Sequence, residues 1–137
     1  MLNGKVIKTS IDRIIVDGGD VLKNIKVGDK GYKGFGETYY SKINFAKKKG
    51  WKKHLEMTIN LTCVIGEVRF VFSENLKEFE SIILNEKNLY RLTIYPNVWF
   101  AFEGLYRPFS IVNNVADIIH DPYEVERKNL DEVNFKW

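Results

Sequence analysis

Five polar residues recur at two-residue spacing, Lys52, His54, Glu56, Thr58 and Asn60, and together they offer a cation, a titratable ring, a carboxylate, a hydroxyl and an amide. An imidazole with an ordinary pKa of about 6.5 suits proton transfer near neutral pH. A lysine two positions away suits stabilisation of a developing oxyanion, since its charge persists unless burial and a neighbour such as Lys53 depress its pKa by roughly three units. Residues 52 and 54 on one strand face stand about 7 Å apart, room for one small ring to touch both. Glu56 is positioned by the same spacing to orient His54, and Thr58 and Asn60 extend the row with hydrogen-bonding groups.

The element that must position them is read from the alternation across residues 50–66. With Lys53 aside, odd positions hold Trp51, Leu55, Met57, Ile59, Leu61 and Cys63 and even positions hold the polar row, the period-two pattern of a strand with one oily face. The polar row lines a pocket if it faces into a barrel and is an ordinary wet face if it points outward. On the preceding strand Tyr39 and Tyr40 alternate, so one of them faces the same side as the polar row. Glu37 shares parity with Tyr39 and would be costly to bury alone, so Glu37 and Tyr39 are the pair expected from that strand. His120, between Asp117 and Asp121, suits a turn or cap.

Other apolar or alternating runs include Phe35 to Ile43, Val68 to Phe72, Leu92 to Tyr95, Val98 to Phe102 and Phe109 to Val112, separated by clusters such as Asp17-Gly18-Gly19-Asp20 and Asn85-Glu86-Lys87-Asn88. Many short strands with little helical pattern predict a β-sandwich or small barrel. The Ile65-Gly66-Glu67 step predicts a tight antiparallel hairpin. Only residues 122–131, opening with Pro122, read as helix. The 137 residues predict a single domain, 1–137, with one core.

A net charge of +3, from 21 basic and 18 acidic residues, gives no strong attraction for polyanions, so nucleic acid is not an expected partner. Cys63 alone cannot form an intrachain disulfide and sits on an apolar strand face, which points to a reducing compartment. No apolar run approaches the roughly 18 residues of a membrane span, so a cytoplasmic protein without a membrane partner is expected.

Several segments in order resemble the dTDP-4-dehydrorhamnose 3,5-epimerase family: residues 17–21, 34–41, Gly50-Trp51-Lys52-Lys53-His54, residues 64–68, 92–102, and Asp117 to Pro122 followed by Glu124 and Glu126. The resemblance runs from about Asp17 through Trp137. It implies an all-β cupin jelly roll, usually a homodimer, handling nucleotide-linked 4-keto sugars in its barrel.

Departures from that family bear on the chemistry. Lys52 stands where the epimerases carry their catalytic His, and the position of their acidic Tyr reads Asn113 or Asn114. Of the His-x-His of the related 3,4-ketoisomerases, only His54 remains. No second-motif His occurs in residues 96–101, so no metal and no cofactor are expected.

Epimerisation beside a ketone needs a base, an oxyanion stabiliser and an acid. Among the residues present, His54, Lys52 and Tyr39 suit these roles, with Glu37, Glu56, Thr58, Asn60 and Asn114 as expected substrate-binding residues. The expected function is a sugar-nucleotide epimerase or isomerase of surface polysaccharide synthesis. The alternative is a sugar-binding cupin that has lost the reaction.

Overall fold

The stretch from Lys48 to Ile65 is two strands in two different sheets. The computed structural model describes residues 1–137, and its strands are β1 (Val6–Ser10), β2 (Asp12–Ile14), β3 (Val21–Lys23), β4 (Glu37–Asn44), β5 (Lys48–His54), β6 (Ile59–Ile65), β7 (Glu67–Ser73), β8 (Glu80–Asn85), β9 (Tyr90–Ile94), β10 (Trp99–Gly104), β11 (Phe109–Ala116) and β12 (Val125–Arg127). Sheet one has the order β1-β9-β6-β11-β4, sheet two β12-β5-β10-β7-β8, and β2 pairs only with β3. All the pairings are antiparallel. This is the jelly-roll sandwich expected from the sequence.

Two expectations are corrected. Gly66 joins β6 in sheet one to β7 in sheet two, so it makes a corner between layers and no hairpin. Its φ of +85° suits glycine, and a Cβ there would lie 2.3 Å from Ser110 Oγ. Residues 122–131 are not one helix: 3-10 turns at Pro122–Glu124 and Leu130–Glu132 flank β12, which pairs with β5.

The facing sides of the sheets enclose the main core. Ile59, Leu61, Cys63, Leu92 and Val112 from sheet one meet Val68, Phe70, Phe72 and Phe100 from sheet two. Burying such side chains contributes about 1.5–3 kcal/mol each. Burial also pushes the Cys63 thiol up to about 12, so it behaves as a small hydrophobe. A second cluster lies on the outer side of sheet two, where the chain end folds back: Trp51, Val71, Trp99 and Ala101 pack under Val133, with Phe135 and Trp137 against them. The Trp51 ring stands 5.6 Å from Phe79 and 6.1 Å from Phe135. This strap fixes the C-terminal segment beside β5.

The break between β5 and β6 resets the alternation. In sheet one the inward residues of β6 are the odd ones, Ile59, Leu61 and Cys63, and the even residues Asn60 and Thr62 face outward under the segment from Asn24 to Gly31. In β5 the inward residues are instead Lys49, Lys52 and His54. The reason is a bulge: Phe100 pairs with Lys52 while Ala101 pairs with Gly50, which leaves Trp51 as the extra residue. Lys49 opposite Phe102 and Lys52 opposite Phe100 therefore share the inner side although they are an odd three positions apart. Gly50 is needed at this crossing, since its φ is +144° and a Cβ would lie 2.5 Å from the Ala101 Cβ.

Candidate functional site

One end of the sandwich core opens into a cavity of about 430 Å³ lined by residues of both sheets. Sheet two contributes Lys49, Lys52 and His54 from β5, Phe100 and Phe102 from β10, and Arg127 from β12. Sheet one contributes Tyr39, Asn114, Leu61 and Val112 among others. No Asp or Glu lines this space.

His54 is buried, at 8% exposure, and its Nδ1 stands 2.5 Å from Glu124 Oε1. Glu124 is itself buried and accepts two further hydrogen bonds through Oε2, from the amides of Met57 at 3.1 Å and Glu56 at 3.2 Å. Backbone bonds lock the pair in place: Leu55 N donates to Glu124 O at 2.7 Å and Asn97 N to His54 O at 2.7 Å. The His54 ring lies 5.9 Å from Phe100 at 25°, stacked against the cavity wall.

The electrostatics make this a neutral imidazole beside a carboxylate. Burial pushes His54 below its ordinary pKa, and Glu124 restores only part of the loss. Burial alone would raise Glu124, but the hydrogen bonds from His54 and from the Met57 and Glu56 amides outweigh it and hold the carboxyl below its usual range. With its Nδ1–H given to the carboxylate, His54 presents the Nε2 lone pair as a base.

The cations around it lack counterions. Lys48 pairs with Glu103 and Lys53 with Glu126 on the outer side of sheet two, at 3.0 and 2.9 Å, whereas Lys49, Lys52 and Arg127 on the inner side have no carboxylate within salt-bridge distance. Burial, then the charges of Arg127 and Lys49, depress the Lys52 pKa. Such a cluster is relieved by an anion.

On the opposite wall Tyr39 and Asn114 are direct cross-strand partners, and Asn114 Nδ2 donates to Tyr39 Oη at 2.6 Å. Burial raises the phenol pKa; the Asn114 hydrogen bond lowers it in part, and the carboxylates of Glu37 and Glu124 raise it further.

A dTDP sugar isomerase of Desulfovibrio desulfuricans G20 superposes with a TM-score of 0.89 at 25% identity, over 98% of this chain and 91% of that one. A histidine-to-asparagine mutant of the 3,4-ketoisomerase QdtA of Thermoanaerobacterium thermosaccharolyticum, in complex with TDP-4-keto-6-deoxyglucose, gives 0.80 at 20% identity, over 94% and 91%. The 3'-monoepimerase ChmJ of Streptomyces bikiniensis, in complex with dTDP-quinovose, gives 0.84 at 9% identity, over 97% and 75%. The chain has the fold of the dTDP-sugar epimerase and isomerase cupins. No protein-family model and no curated protein matches it.

Within this cupin the structure brings together four of the residues singled out from sequence, His54, Lys52, Tyr39 and Asn114, around one cavity. It does not bring the others there. Glu56 is exposed on the turn after β5, and the role of orienting His54 falls to Glu124. Thr58 and Asn60 follow the reset parity: the Thr58 amide is tied to Asp117 at 2.8 Å, and the Asn60 amide bonds Gly31 O, Arg91 and Thr93 on the outer face. Glu37 does share the side of Tyr39, but at the sheet end, where its carboxylate accepts from the His120 amide at 2.9 Å.

Glu124, Lys49 and Arg127 join the site without having been assigned to it from sequence. The pairing of β12 with β5 delivers Glu124 and Arg127, and no local pattern announces that pairing. Lys49 is hidden by the bulge.

Proposed function

We propose that the protein is a sugar-nucleotide epimerase or isomerase acting beside the ketone of a nucleotide-linked 4-keto sugar of the dTDP-4-keto-6-deoxyhexose type, in surface polysaccharide synthesis. The observation that carries this reading is the pair of hydrogen-bonded walls: His54 with Glu124 on sheet two faces Tyr39 with Asn114 on sheet one, across a cavity lined by unpaired cations. The fold shared with the dTDP sugar isomerase, and the nucleotide sugars bound by the QdtA mutant and ChmJ, support it.

In this reading His54 Nε2 removes the proton from the carbon beside the ketone, and Glu124 balances the imidazolium that forms. The electron pair moves onto the carbonyl oxygen, where the Lys52 ammonium stabilises the enolate. The Tyr39 hydroxyl returns a proton to carbon from the other wall, which inverts the centre. Lys49 and Arg127 at the mouth take the diphosphate, consistent with a lining that carries cations and no acid. The expected homodimer remains part of the proposal, and it is supported by the β2–β3 hairpin, which leaves Ile14, Val16, Val21 and Leu22 exposed.

Deuterium wash-in from solvent into dTDP-4-keto-6-deoxyglucose tests the reaction. Exchange at a carbon beside the ketone is expected. Tight binding without exchange, across several nucleotides, would favour a sugar-binding cupin that has lost catalysis. Sedimentation at the 16.0 kDa of one chain would remove the dimer.

A further inference from the structure

Asn114 lies inside the sandwich at 3% exposure, in the strand position directly opposite Tyr39. Its Oδ1 is buried without a hydrogen-bond partner, while its Nδ2 is committed to the Tyr39 oxygen at 2.6 Å. An orphaned amide oxygen in a packed wall is something stability does not account for, since a leucine would fill similar space without it. The backbone around the pair is pinned, with Thr38 Oγ1 donating to Asn114 O at 2.8 Å and Asn113 Nδ2 donating to Thr38 Oγ1 at 3.0 Å. The amide and the phenol are thus held in one arrangement.

We infer that Asn114 is the positioning residue for the Tyr39 proton: its amide N–H occupies the phenol oxygen as a donor, so the phenol O–H, which finds no acceptor in the wall, is turned into the cavity. A carboxylate in the same place would accept that O–H and draw the proton back into the sheet. The same N–H also steadies the phenolate once the proton has left, so one contact serves both states of the acid. The inference rests on the proposed role of Tyr39 and assigns Asn114 a task apart from contact with the sugar.

The groups bearing on the phenol are Glu37 from its own strand and Glu124 across the cavity, both raising its pKa against the lowering by Asn114. The cations Lys49, Lys52 and Arg127 line the same cavity. Substitutions at 114 leave all of these in place.

The test follows the Tyr39 phenol by NMR of protein carrying tyrosine labelled with carbon-13 at the ring carbon bearing the hydroxyl, with Tyr39→Phe identifying the signal. Asn114→Asp keeps the shape and exchanges donor for acceptor; Asn114→Leu removes both; Asn114→Ser serves if the leucine variant does not fold. Each of Asn114→Asp and Asn114→Leu is expected to move the Tyr39 titration up by about one unit or more, the aspartate furthest. Deuterium wash-in is expected to fall about tenfold or more in both. Affinity for dTDP, read by calorimetry, is expected to change less than about threefold, because the cationic mouth is untouched.

A Tyr39 titration that stays within ~0.3 unit of the original in both variants overturns the inference. If Tyr39→Phe exchanges at the unmodified rate, the acid role fails instead. The two failures are distinguishable because the titration reports the Asn114 contact without reference to turnover.

Discussion

Two polar clusters stand out in this molecule, one buried on the outer face of sheet one and one lining the cavity between the sheets, and they differ in what their atoms are bonded to. On the outer face of sheet one, Arg91 is 2% exposed and donates to Asn60, to the carbonyl of Asn24 and to that of Lys30 at 2.8 Å. Asn60 also accepts from Thr93, Thr62 donates to Asn24 and Asn24 donates to Asn113. These groups satisfy one another and hold the segment from Asn24 to Gly31 on the sheet. On the inner wall of sheet two, Lys49, Lys52, Arg127 and the Nε2 of His54 have no comparable partners. Buried polarity that is internally satisfied fastens a fold, whereas polarity left open on a cavity is available to a ligand.

That contrast breaks first at His54. His54→Ala is expected to lower deuterium exchange by about 10²–10⁴-fold with the sheet spectrum retained in circular dichroism. Full exchange in that variant would move the base elsewhere in the cavity.

Arg91→Met reverses the pattern, because it leaves the carbonyls of Asn24 and Lys30 without their donor. A loss of about 3 kcal/mol in denaturant unfolding is expected, with dTDP affinity nearly unchanged. Lys52→Met sharpens the comparison from the other side. It removes a charge crowded by Arg127 and Lys49, so stability should hold or rise while deuterium exchange drops by about 10²-fold. A Lys52→Met protein that unfolds as readily as Arg91→Met would erase the distinction.

The smallest effect is on pH dependence. His54 and Glu124 both have pKa values below those of their free groups, His54 through burial and Glu124 through hydrogen bonds that overcome burial. The folded protein therefore binds fewer protons than the unfolded chain, and acidification destabilises it. The His54 contribution is complete above its unfolded value of 6.5 and declines as pH falls toward the lower folded value. The Glu124 contribution is complete above 4.5 and is lost as pH falls through its folded value. Melting followed from pH 7 down to about 2 should show two declines, one below 6.5 and one below 4.5, and His54→Gln should remove the upper one. For exchange, the acid limb should have its midpoint below 6.5, because the neutral imidazole is the base.

Much of this was legible from residue order alone. Alternation gives the strands, and it gives the shared side of Lys52 with His54 and of Glu37 with Tyr39, because cross-strand geometry propagates period two without reference to the rest of the fold. The apolar row Val68, Phe70 and Phe72 announces the core that the structure buries completely. The fold resemblance is carried by segments spread over nearly the whole chain.

What the alternation cannot carry is a change of sheet. Across residues 55–58 the chain leaves one layer for the other, so Asn60 continues the sequence pattern of His54 while facing the opposite side of the sandwich. A single extra residue at Trp51 has the converse effect and brings Lys49 onto the inner wall beside Lys52. Glu124 reaches His54 only because β12 pairs with β5 and the aromatic strap of Phe135 and Trp137 closes over Trp51. Residue order supplies most of the strands, their oily faces and the acid, base and cation of the site. Tertiary structure alone decided which of those groups share a cavity, because bulges, corners and the docking of the chain end act between segments, where local periodicity has no reach.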